Sequence, residues 1–140
     1  MSKIQSYLKN KLEAWIPFDG MPGFELKLAY LSREELNKIR LASTRITFNP
    51  KSKVKEENVD SEIFVKEYIK ACILDWKGFT LEHASKLLPI EVPKGVDLQE
   101  EIEFSTEDAM ELTRNSNIFD SWLSEVVSDL EAFRQRGNGK

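Results

Sequence analysis

Between Phe24 and Leu36 the hydrophobic period changes within a few residues, and this change limits the folds open to the chain. Phe24, Leu26 and Leu28 alternate with Glu25, Lys27 and Ala29, the pattern of a strand with one buried face. Ser32 and Glu35 then form an S-x-x-E capping box, so a helix begins at Arg33 and buries Leu36, Ile39 and Ala42. Ahead of the strand, Phe18-Asp-Gly-Met-Pro-Gly-Phe24 is rich in turn formers, and Trp15-Ile16 can pair across it. A chain that enters a helix from a short hairpin, with helical patterning over most of the remainder, is expected to be α+β. The fold class is therefore mainly α-helical, a compact helical domain with a short N-terminal β-hairpin or strand.

The other elements follow from caps and breakers. Ile4, Tyr7, Leu8 and Leu12 predict a first helix over 3–14, stopped before Pro17. Arg45–Phe48 reads as a brief extended piece, and the polar stretch Asn49–Ser61 as a long mobile loop. Asp60 or Ser61 caps a helix reaching about Asp75, with Tyr68–Leu74 apolar nearly all round as the central core helix and Gly78 as its stop. Thr80 caps a short helix through Leu88, closed by Pro89, and Pro89–Gly95 is a semi-rigid connector. Ser105 with Asp108 opens a helix to about Asn115 that buries Ala109 and Leu112. Asn117 opens a last helix carrying Ile118, Phe119, Trp122, Leu123, Val126, Val127, Leu130 and Phe133. One domain over 1–134 and a flexible tail over 135–140 result.

At 140 residues the chain is long enough for one proper core. No run approaches the roughly 18 apolar residues of a membrane span, and the Lys-studded N-terminus is no signal peptide. The lone Cys72 forms no internal disulfide and suits a reducing, cytoplasmic compartment. The net charge of −4 is unevenly spread: residues 1–55 hold eleven Lys/Arg against five Asp/Glu, whereas 97–131 hold eleven acids against Arg114 alone. Such a protomer either neutralises itself on folding or meets another copy head to tail.

Catalytic chemistry is thinly supplied. His83 is the only histidine and sits at the start of a short helix without an obvious orienting acid and nucleophile. Cys72 lies on the most apolar helix, where a thiol acts as a small hydrophobe. There is no C-x-x-C, no His pair and no phosphate-cradling Gly motif, and Gln99–Glu103 lacks the EF-hand order. No catalytic, cofactor or metal residues are expected, and the chain reads as no enzyme. Arg33, Lys38, Arg40, Arg45, Lys51, Lys53 and Lys55 form a basic stretch, but a sequence pI near 5.2 and the acidic last third weigh against nucleic acid.

Trp15, Trp76 and Trp122 each fall at the edge of an expected helix, where large aromatics seal core boundaries. The last helix carries more apolar surface than a small core needs. Phe119, Trp122, Val126 and Leu130 have the spacing of a helix-in-groove contact and are the candidate protein-binding residues.

Three motifs in order resemble the tail assembly chaperones of long-tailed bacteriophages: Tyr30-Leu-Ser-Arg-Glu-Glu-Leu36, Trp76-Lys-Gly-Phe79 and Asn117-Ile-Phe-Asp-Ser-Trp-Leu123. The resemblance spans roughly residues 15–133. It implies a non-enzymatic protein in the host cytoplasm, absent from the mature virion. Such a protein binds the tape-measure protein and keeps it soluble while the tail tube assembles. It also implies recruitment of the tail-tube protein through a frameshifted longer form, and self-association, with no membrane partner. The alternative is a small acidic phage or bacterial adaptor binding another protein. A DNA-binding regulator stands behind both.

Overall fold

The computed structural model describes residues 2–8 and 11–137. Its centre is a three-stranded antiparallel sheet of β1 (Glu13–Pro17), β2 (Glu25–Ala29) and β5 (Ile73–Lys77), in the order β1-β2-β5. The register sets Ala14 opposite Leu28, Ile16 opposite Leu26, Leu26 opposite Trp76 and Leu28 opposite Ile73. Cross-strand partners share a face, so these six side chains form one apolar layer, and all six are buried. The opposite face carries Trp15, Lys27 and Lys77, with the Lys77 ammonium 4.4 Å from the centre of the Trp15 ring.

Among the described residues six α-helices accompany the strands: α1 (Arg33–Ala42), α2 (Ser61–Cys72), α3 (Leu81–Leu87), α4 (Thr106–Asn115), α5 (Asn117–Val127) and α6 (Leu130–Gly137). With helix predominating among the described residues, the fold class is α+β as expected. Ser32 and Glu35 make the full capping box on α1. Asp60, Thr80 and Ser105 cap α2, α3 and α4. The cap of α5 is Ser116 rather than Asn117, its hydroxyl accepting from the Phe119 N–H at 3.1 Å.

Five expectations are corrected. The last helix, expected unbroken from Asn117 through Phe133, is two helices, α5 and α6, parted at Ser128 and Asp129. The helix over 3–14 is replaced by a single 3-10 turn (Gln5–Tyr7) followed by β1. The hairpin needs Ala14, Ile16 and Phe18 pointing inward at period two, and pairing with β2 overrides local helical spacing. The central helix ends at Cys72, and Ile73–Lys77 continues as β5. Trp15 and Trp76 consequently lie on strands. The segment expected as a mobile loop contains β4 (Val54–Val59), which pairs with β3 (Thr44–Asn49) in a separate two-stranded ribbon. Residues Gln135–Gly137, expected as tail, belong to α6, and 138–140 lie outside the described residues.

Gly78 follows β5 with φ +71°, and a Cβ there would fall on the carbonyl of Gly23. The Trp-x-Gly motif thus marks a point where two backbones touch, which only glycine permits. Beyond α3 the chain wraps back as a strap. Leu81 and Glu82 donate to the carbonyls of Glu100 and Leu98, and Ile102 donates to Phe79 at 2.7 Å. The indole of Trp76 donates to the Ile102 carbonyl at 2.8 Å, fastening the strap to the sheet.

Candidate protein-binding surface

Helix α5 divides by angle. Phe119, Leu123 and Val127, four residues apart, form a ridge turned wholly into the core. Phe18 stacks on Phe119 with ring centres 5.9 Å apart, and Val127 accepts the Leu31 N–H through its carbonyl at 3.0 Å. Of the four candidate residues, Phe119 is 0% exposed and is core. Trp122 and Val126 are half-buried on one flank, and Leu130 stands beyond the helix end at 36% exposure. Ile118, which sequence reasoning left within the core stripe, is 64% exposed.

Each flank of α5 borders a depression. On one side Trp122 and Val126 join Ile16, Pro17 and Ala132 around a cavity of about 200 Å³, with Asp19 and Gln135 at its rim. The Trp122 ring is held against Phe18 at 4.7 Å, so its position is fixed before any contact forms. On the other side Leu31, Leu36, Phe64, Val65, Tyr68 and Val127 line an apolar groove of about 280 Å³ between α1, α2 and α5, with Asp120 and Ser124 also contributing. Burial pushes the Tyr68 phenol up to about 12; nearby Cys72 and Asp120 act in the same direction, against a hydrogen bond with Ser124. Its neighbour Cys72 is fully buried, and burial raises the thiol well above its ordinary value, leaving little thiolate for chemistry.

A polar cleft of about 490 Å³ is lined by the Gly20–Gly23 turn together with Glu82, His83, Lys86, Gln99 and Glu101. Sequence reasoning missed it, because strap and helix meet there only in the folded chain. Thr80, Glu82, His83 and Gln99 among its polar groups already serve the fold. The His83 Nδ1 accepts the Thr80 N–H at 3.2 Å while the Thr80 hydroxyl accepts the His83 N–H, also at 3.2 Å. The imidazole stacks on Phe24 at 5.8 Å, and Glu82 accepts from the Gln99 amide at 3.0 Å. Among the described residues, no cluster of three or more His, Cys, Asp or Glu is placed to hold a metal ion. Among them, too, no helix is long and apolar enough to cross a membrane.

The basic stretch is split between α1 and the ribbon, with Arg45 paired to Asp60 at 3.0 Å. It forms no pair of helices around a tight turn. Comparison with protein-family models, curated proteins and solved structures finds no match for the chain.

Proposed function

We propose that the chain is a non-enzymatic protein-binding domain of the tail assembly chaperone kind, holding a tape-measure protein soluble in the host cytoplasm and absent from the finished virion. Support comes from the arrangement of α5. A fully buried ridge fixes the helix, while Trp122, Val126 and Leu130 leave apolar surface at its side. A preset helix flanked by a depression suits the apolar face of an amphipathic helical client, because little ordering is needed on binding. The acidic run over 97–131 keeps such a complex charged and dispersed. The sequence resemblance narrows the client to a tape-measure protein, and a longer form reaching the tail-tube protein belongs to the same reading.

The test is co-expression with a tape-measure protein of a long-tailed phage, followed by size-exclusion with light scattering. Soluble client carrying several copies of the chain is the expected result. The double variant Val126→Ser and Leu130→Ser should release the client while its far-ultraviolet dichroism stays that of the parent. An insoluble client with this protein eluting alone would overturn the reading.

A further inference from the structure

His83 holds the start of α3 through the one form of its ring that a proton removes. In the α3 capping box its Nδ1 accepts the Thr80 N–H at 3.2 Å, so the neutral ring carries its hydrogen on Nε2. That place in a capping box is usually taken by Glu or Gln, whose side-chain oxygens remain acceptors at neutral pH. Histidine is the side chain whose charge changes between roughly pH 5 and 8. Once Nδ1 binds a proton it becomes a donor and confronts another donor, the Thr80 N–H. A charged ring and a closed cap exclude each other.

Thr80 is also the residue to which the strap is fastened. It bridges to Glu101 through two bonds, from the Leu81 N–H to the Glu100 carbonyl at 2.9 Å and from the Ile102 N–H to the Phe79 carbonyl at 2.7 Å. The Glu82 N–H adds a third, to the Leu98 carbonyl at 2.8 Å. Leu81 and Glu82 donate from the first turn of α3, and the cap sets where those amides point. Ile102 donates from the strap itself, and its carbonyl takes the Trp76 indole. The strap therefore has an outer anchor at 98–100 that depends on the cap, and an inner anchor at Ile102 that does not.

The surroundings let the ring charge. The charged groups that share the cleft with it are Glu82 and Lys86 on α3 and Glu101 on the strap, while the Gly20–Gly23 turn brings none. Phe24 and Phe79 lie nearly parallel to the imidazole, with ring centres at 5.8 and 6.4 Å. Two carboxylates against one ammonium, and aromatic faces that attract a cation, accommodate an imidazolium, so the loss falls on the cap. We propose that His83 is a proton-operated latch: neutral, it closes α3 and holds the outer strap, and protonated, it abandons the Thr80 N–H and lets residues 98–101 come away while Ile102 stays. Gln99 and Glu101 line the cleft, so the cleft opens with them. This inference does not depend on the identity of any client.

Amide hydrogen exchange followed by nuclear magnetic resonance tests it on the full chain. The comparison is between about pH 7.5 and about pH 5.5, a window above the ordinary carboxylate range. Rates are taken relative to an unfolded chain at the same pH, which cancels the intrinsic dependence on hydroxide. In the parent, protection of the Leu81 and Glu82 amides should fall about fivefold on acidification, in step with the nitrogen shifts of the His83 ring, while Ile102 stays protected. His83→Gln keeps an acceptor that takes up no proton, so its protection should be equal at the two pH values. His83→Ala has no cap at either, and should show the low protection at both. Three results would overturn the proposal: parent protection that stays constant while the ring charges, a ring still neutral at about pH 5.5, or the same acid loss in His83→Gln. A loss that reaches the β2 amides equally would show general destabilisation in place of a latch, and also rejects it.

Discussion

The two β-structures of this protein use the same hydrogen-bonding pattern for opposite ends. In the β1-β2-β5 sheet, paired residues such as Ile16 and Leu26 bury one face completely, and glycine allows the Gly23 and Gly78 backbones to touch at its end. In the β3–β4 ribbon, strand pairing is as regular, yet Ile46, Phe48 and Val59 face solvent. Backbone pairing fixes register in both. Only burial adds the free energy that makes the first a folding core, since an isolated two-stranded ribbon is marginal in water. The ribbon is held mainly at its base, where Asp60 donates its N–H to the Ser43 carbonyl at 2.8 Å.

This contrast can be attacked first at Gly78. Gly78→Ala forces a left-handed backbone on a residue with a Cβ and drives that Cβ into Gly23, so urea denaturation should show a loss of about 3 kcal/mol. A loss under about 1 kcal/mol would mean the seam is not rigid. A second test sits beneath the sheet. Tyr68 and Cys72 both hold their protons more tightly in the fold than their ordinary values of 10.0 and 9.0. The unfolded chain therefore releases these protons first as pH rises, and the stability they contribute is intact below about 9. It drains away above that, the Tyr68 part between 10.0 and about 12. Urea midpoints from about pH 8 to about 10.5 should fall, and Cys72→Ala with Tyr68→Phe should flatten that slope. The smallest effect belongs to the ribbon. Ile46→Ser should shift monomer stability by no more than about 0.5 kcal/mol, and ribbon amides should exchange with deuterium well before those of β2. Protection equal to that of β2 would erase the distinction between the two regions.

Much of this architecture was legible because it rests on local chemistry. Ser32 with Glu35, Asp60, Thr80 and Ser105 each act within three residues of themselves, so their caps could be read without knowing the fold. What failed depends on partners far along the chain. Ile73–Lys77 leaves α2 without a proline or glycine, because pairing with β2 offers its bulky residues a buried face that continued helix would not. Glu13–Pro17 is extended for the same reason. In β4 all six residues are exposed, so no apolar alternation exists for a reader to find, and its Lys and Glu resemble a loop. At the candidate surface, spacing identified α5 but not its orientation. Phe119 and Trp122 are equivalent in sequence pattern, yet the first is wholly enclosed and the second only half so. That rotation is set by Phe18 and by the Leu31–Val127 hydrogen bond, neither visible along the helix itself.

Ser116 has a mechanical consequence. Its own N–H donates to the Leu112 carbonyl at 3.0 Å, closing α4, while its hydroxyl opens α5 and the residue is 2% exposed. One residue, through both its backbone and its hydroxyl, is thus the joint between two helices, with no slack segment between them. Pulling on α5 must either break one of those two bonds away from water or turn α4 with it. The two helices are therefore coupled at Ser116, and a tilt of α5 would bear on the packing of α4 against α2.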